Sequence, residues 1–299
     1  MFCRQDTFES YPPNRRHVLH AIAARMAHRE LELVESHLTA AARWDLPMPL
    51  DEGPRAYLTD GCLSRSTRLD DRSVIEVASL TRGDVLTRSG VPVTSPARTA
   101  ADCLRHYPAE VSVPIADAAI NRGLTTSAAI GAVLARQRTW PYATLGHSAM
   151  RLVDGRRETW LESLSVVRLT YVHIVVAEPQ VEVYDEEGTF IARVDLLWLE
   201  NATVGEADGR AKYSLGDWSD LGVADAAELV EARVQAGLRI VLAEKSREDA
   251  LRSVGLEVVR WTTSEIMRHL PDVARRIRAA HARGNPSRFT GQFRETPRR

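Results

Sequence analysis

Residues 180–209 read QVEVYDEEGTFIARVDLLWLENATVGEADG. Three β-prone runs lie in this stretch: Gln180 to Tyr184, Ile191 to Trp198 and Thr203 to Ala207. Asp185-Glu186-Glu187-Gly188 is turn sequence between the first two, and Glu200-Asn201 joins the next two. The stretch therefore predicts a meander. Ahead of it, Arg157 to Leu169 reads as a helix with Trp160, Leu161, Leu164 and Leu169 on or near its apolar side. Beyond it, Glu248 to Val254 reads as the end of a helix stopped by Gly255. Leu256 to Trp261 is a final strand, and Ser264 to Leu270 starts a terminal helix. Helix, meander, helix, strand predicts a layered α/β domain.

Asp195 sits inside an apolar run, Arg-Val-Asp-Leu-Leu-Trp, where a carboxylate is costly to bury without a partner. Glu206 and Asp208 follow two apart, on one face of the next strand. With Asn201 at the turn, Asp195 and Glu206 come from antiparallel neighbours, whose opposed Cβ atoms lie about 4.5 to 5.5 Å apart. Two carboxylates about 4 Å apart repel by roughly 4 kcal/mol at an effective dielectric near 20. A divalent cation would hold them together. Magnesium favours hard oxygen ligands, activates water and offsets charge on a phosphate. Lys212 follows closely enough to point into such a site, and Glu162 on the preceding helix could supply a further carboxylate. The plainer alternative stays open: strand acids near turns often face solvent, and Asp-Gly is a common turn pair. Glu158 and Glu162 are equally ordinary helix-surface residues, and Lys245, Arg247, Asp249 and Arg252 read as well as a surface ion-pair ladder. The nine histidines form no evident ligand set.

The first half has a different rhythm. Residues 17–43 are rich in Ala, Leu, Glu and Arg and read as one or two helices. From Leu46 to Val93, Pro, Gly and Asp punctuate short β-prone pieces such as Ser73 to Leu80 and Asp84 to Thr87, which predicts a small sheet. Ser95-Pro96 offers an N-cap and a first helical residue for Ala97 to Leu104. Further helices are expected over Val111 to Asn121 and Ser127 to Gln137, ended by Trp140-Pro141. A domain boundary is placed near residue 150.

The 299 residues suit two domains, and 44 % apolar with 26 % charged content is that of a globular protein. No apolar run is long enough to span a bilayer, so no membrane partner is expected. Cys3, Cys62 and Cys103 are odd in number and widely spaced, against a disulfide framework. The polar opening residues do not read as a secretion signal, which with the cysteines predicts a cytoplasmic protein. Net charge is −1, but residues 268–299 hold nine arginines against Asp272 and Glu295. Such a basic tail can neutralise phosphates, or can simply be solvated. Of 39 basic residues only Lys212 and Lys245 are lysine. An ammonium and a guanidinium are not equivalent beside a phosphate or a water.

Glu162-Ser163, Gln180-Val181-Glu182-Val183, Val194-Asp195-Leu196, Val204-Gly205-Glu206-Ala207-Asp208-Gly209 with Lys212-Tyr213, and Glu244-Lys245-Ser246-Arg247-Glu248-Asp249 before Val259-Arg260-Trp261 occur in one order. The series resembles the C-terminal domain of a bacterial family related to very-short-patch-repair endonucleases, within the PD-(D/E)XK nuclease superfamily. Ser36-His37-Leu38-Thr39-Ala40-Ala41 and Val93-Thr94-Ser95-Pro96-Ala97-Arg98-Thr99-Ala100-Ala101-Asp102 resemble the region that precedes this domain in AbiEi-type antitoxin-like proteins. The resemblance implies an α/β (α+β) chain: an antitoxin-like mixed helical and small-sheet domain over 1–150, a restriction-endonuclease-like domain over 151–270 and a basic tail over 271–299. It also implies Asp195 and Glu206 as ligands of magnesium (or manganese), with Asp208, Lys212 and Glu162 completing the site and Gln180 and Lys245 behind them. The implied activity is metal-dependent cleavage of DNA phosphodiester bonds. The superfamily's signature lysine would fall at Asp208, where the pattern departs, and Lys212 is the substitute from further on. Residues 214–232 carry Asp217, Asp220, Asp225, Glu228 and Glu231 and no base, which opposes a DNA groove. Too few residues precede His37 for a complete winged helix-turn-helix. The alternative is a noncatalytic antitoxin-like or transcription-regulatory protein on a degenerate nuclease fold, with a toxin or other protein as partner.

Overall fold

The computed structural model describes residues 4–49, 55–62, 66–70, 73–209 and 242–297. They form two compact units, residues 1–167 and 168–297, and each contains its own sheet. The chain is of mixed α/β (α+β) class. Among the described residues no helix is long and apolar enough to cross a membrane.

The first unit opens with α1 (Gln5–Ser10) and α2 (Pro13–Ala27), followed by β1 (Leu33–Glu35) and α3 (His37–Arg43). Its remaining strands are β2 (Ala56–Asp60), β3 (Arg68–Leu69), β4 (Ser73–Val77), β5 (Val85–Arg88) and β6 (Val91–Thr94). The sheet order is β3-β4-β2-β1-β6-β5. The strand β1 interrupts the helical reading of residues 17–43. Its three residues are buried and pair with β2 on one side and β6 on the other, so sheet position overrides helix-favouring composition. Then come α4 (Pro96–His106), α5 (Ala109–Asn121), α6 (Ser127–Arg136) and α7 (Ala143–Met150). The expected start of α4 is present: Pro96 opens the helix and the Ser95 hydroxyl accepts from the Arg98 amide at 3.4 Å. Ala100, Leu104, Val113, Ile120, Ile130 and Leu134 join these helices in one core.

The division between the units falls inside α8 (Trp160–Tyr171), later than the boundary expected near 150. The second unit contains the expected meander as β7 (Glu178–Tyr184), β8 (Phe190–Trp198) and β9 (Thr203–Asp208), with β7–β8 and β8–β9 antiparallel. Residues 242–253 are helical (α9) and lead to β10 (Glu257–Thr262), which pairs parallel to β9. Val181, Val194, Val204, Leu251, Val254 and Leu256 close the core between α9 and the strands. Gly205 is required by packing on the sheet. A Cβ there would lie 2.6 Å from the Trp261 ring and 2.8 Å from the Trp198 ring.

The segment read as a basic tail over 271–299 is instead part of this unit. After α10 (Thr263–Arg268), α11 (Leu270–Arg283) buries Val273, Ala274, Ile277 and Ala280. β11 (Gln292–Glu295) then adds an edge strand against β7, giving the order β10-β9-β8-β7-β11. The apolar residues repeat at helical spacing inside an arginine-rich sequence, and that spacing drives the docking. Several of its arginines are already paired: Arg275 with Asp272, Arg276 with Glu265 and Arg283 with Glu257, each at 2.8 Å.

Candidate functional site

The strand registers of the second unit bring the sequence-predicted acids onto adjacent strands. β8 and β9 pair Leu196 with Gly205, and the next step of that register sets Asp195 across from Glu206. β7 and β8 pair Pro179 with Leu196 and Val181 with Val194, so Gln180 falls across from Asp195 on its other side. β10 pairs Arg260 with Glu206. Arg260 and Glu206 are thus direct partners, Asp195 lies one residue beyond the last β8–β9 pair, and Gln180 lies at the unpaired step between two β7–β8 pairs.

Glu206 is buried, while Asp195 and Asp208 are half-buried. Oδ2 of Asp195 accepts a hydrogen bond from the Ala207 amide at 2.8 Å, which holds this carboxylate against β9. Oε2 of Glu206 accepts from Nη2 of Arg247 on α9 at 2.9 Å. Its other oxygen, Oε1, is buried and has no hydrogen-bond partner among the described residues. Burial pushes the Glu206 carboxyl above its ordinary range, against the pull of Arg247 and Arg260. A buried carboxylate oxygen without a donor fits a cation ligand. The guanidinium on its companion oxygen supplies part of the same positive charge.

Arg247 and Arg260 are the neighbours that the sequence reading underweighted. Arg260 lies 3.7 Å from Glu244 and 3.4 Å from Glu248, so α9 and β10 exchange charges beside Glu206. Arg252 pairs with Glu248 at 2.9 Å, one turn apart, so part of the expected surface ladder exists. Lys245 is exposed, and Arg247, two residues on, is the base that reaches Glu206. A helix advances about 100° per residue, so positions two apart point to different sides. The spacing of Arg247 ahead of Leu251 and Val254 on one face could have signalled this.

Gln180 is buried, and its backbone adopts φ of 55°, a left-handed conformation that is costly for a residue with a side chain. Its carbonyl accepts from the Thr296 hydroxyl at 2.6 Å, tying β7 to the segment after β11. Glu162 belongs to the first unit, where it has a local role at the start of α8. Its carboxylate accepts from the Glu158 amide at 3.0 Å and the Thr159 hydroxyl at 2.8 Å, and its own amide donates to Thr159. That is reciprocal capping of a helix N-terminus. Lys212 and the acidic segment 214–232 lie outside the described residues. Searches of protein-family models, curated proteins and solved structures return no match to the chain.

Proposed function

We propose that the second unit is a magnesium-dependent nuclease domain that hydrolyses DNA phosphodiester bonds, with Asp195 and Glu206 as its metal ligands. The observation that carries this reading is the buried, undonated Oε1 of Glu206, with Asp195 on the adjacent strand one residue beyond the same Leu196–Gly205 pair. Helix, meander, helix and parallel strand occur in the order the resemblance to very-short-patch-repair-related nucleases leads one to expect. Bound magnesium (or manganese) would supply positive charge for the phosphate and activation of water. Asp195 would be held for that task by the Ala207 amide, and Arg247 would limit the repulsion between the acids. Asp208 stands two residues beyond Glu206 on the same strand, where a lysine is the superfamily's signature. The first unit is read as antitoxin-like.

A second reading has its own observation. The Arg247–Glu206 ion pair at 2.9 Å already compensates one acid, as suits a noncatalytic DNA-binding or protein-binding relative that keeps the fold. Plasmid and oligonucleotide cleavage with magnesium or manganese separates the two. The nuclease reading expects cleavage by the wild type and its loss in both Asp195→Ala and Glu206→Ala. DNA retardation without cleavage in any metal supports the noncatalytic reading, and cleavage surviving both substitutions refutes the proposed site.

A further inference from the structure

Three groups far apart in sequence meet in the first unit, where the sequence reading found no histidine ligand set. They are His37 at the start of α3, Glu76 in β4 and His106 at the end of α4. The His37 side chain is 1 % exposed, whereas Glu76 and His106 are each 23 % exposed. The cluster is thus dry on one side and reachable from water on the other. Nε2 of His37 lies 3.1 Å from Nδ1 of His106 and 3.3 Å from Oε2 of Glu76. Nε2 of His106 lies 3.9 Å from Oε1 of Glu76. Ligands about 2.0–2.1 Å from a tetrahedral zinc stand roughly 3.3 Å from one another. Two of the three spacings already match, and the third is about half an ångström longer.

Hydrogen-bond geometry points the same way. Nδ1 of His37 faces the Ser36 hydroxyl at 3.0 Å, while Nε2 faces both His106 and Glu76. At most one proton is present at Nε2, and it cannot satisfy both. A cation can.

An outer partner orients the buried ring: the Ser36 hydroxyl stands on Nδ1 of His37, the nitrogen turned away from Glu76 and His106. A partner on the non-ligating nitrogen fixes ring direction and tautomer in metal sites. The His37 backbone is held at φ of 50°, which a non-glycine residue adopts only when its surroundings impose it.

We propose that His37, Glu76 and His106 form a binding site for a first-row divalent cation of the zinc class. Two imidazoles and one carboxylate suit such an ion better than magnesium, which prefers all-oxygen surroundings. Three protein ligands leave further coordination positions to water or to a small ligand. The site is independent of the acids in the second unit.

The test is titration of chelator-treated, full-length protein with Co²⁺ and then Zn²⁺, followed by visible absorption and thermal unfolding. The proposal expects one equivalent of Co²⁺ with visible bands, its displacement by Zn²⁺, and a higher Tm with Zn²⁺ bound. Glu76→Gln and His106→Gln, both at partly exposed positions, should each weaken binding by at least about tenfold, the cost of losing even an outer partner. His147→Gln, at an exposed position elsewhere, should leave it unchanged. Absence of uptake by the wild type overturns the proposal whatever the variants do. So does equal affinity in Glu76→Gln and His106→Gln proteins that unfold cooperatively.

Discussion

Two residues show how burial converts a side chain's identity into a measurable property. His17 in α2 is buried with Nε2 2.8 Å from the Thr39 hydroxyl, and burial, then nearby His20, lowers its pKa from 6.5 to about 4. The unfolded chain therefore takes up a proton near pH 6.5 that the native chain accepts only near pH 4. The unfolded state binds more protons between those values, so stability falls as pH drops from 6.5 to 4. This group's full contribution, roughly 3 kcal/mol, is present above that window. Unfolding midpoints measured across it should fall less steeply in His17→Gln than in the wild type. Glu206 gives a second prediction. Arg247→Gln removes its bonded cation and leaves a buried carboxylate, which should cost about 1–3 kcal/mol in denaturant titrations. Under the nuclease reading, magnesium should recover part of that loss, and in the wild type it should add less.

At the scale of elements, the meander was legible because Asp185-Glu186-Glu187-Gly188 and Glu200-Asn201 mark turns between β-prone runs of ordinary strand length. Those turns also place Asp195 and Glu206 on adjacent strands, each one residue beyond the Leu196–Gly205 pair. Elements whose existence depends on distant partners were not legible. β1 is three residues that become a strand because β2 and β6 flank it, and β11 forms on the edge offered by β7. The same limit hid the histidine cluster, since His37 and His106 stand 69 positions apart. Arg247 was visible as a charge but not as Glu206's partner, because its direction depends on how α9 lies on the sheet. Gly205 offers a test of element packing. Gly205→Ala would push a methyl group into the Trp198 and Trp261 rings and should destabilise the protein by about 1–3 kcal/mol, measured by chemical unfolding. An unchanged midpoint would contradict the packing of these two rings across β9.

At the scale of the whole molecule, charge is distributed differently from its order in the sequence. The arginines after residue 267 lie on folded elements, and Arg275, Arg276 and Arg283 are paired with acids. Arg268 and Arg288 are exposed and have no ion pair among the described residues. If DNA is the partner, Arg268→Gln and Arg288→Gln should each reduce the salt dependence of binding by about one phosphate contact, read from the slope of log affinity against log salt. Paired arginines should contribute less. The fold class, the meander and β10 thus follow from local sequence, whereas the electrostatics around Glu206 emerge only when α9, β9 and β10 come together. The most direct test of the proposed acid site is Mn²⁺ binding to the full-length protein, followed by electron paramagnetic resonance. In the Glu76→Gln background, which removes a ligand of the histidine cluster, the account predicts one class of bound Mn²⁺ that is lost on adding either Asp195→Asn or Glu206→Gln. Binding that persists in both acid variants, or no binding by the wild type, would contradict it.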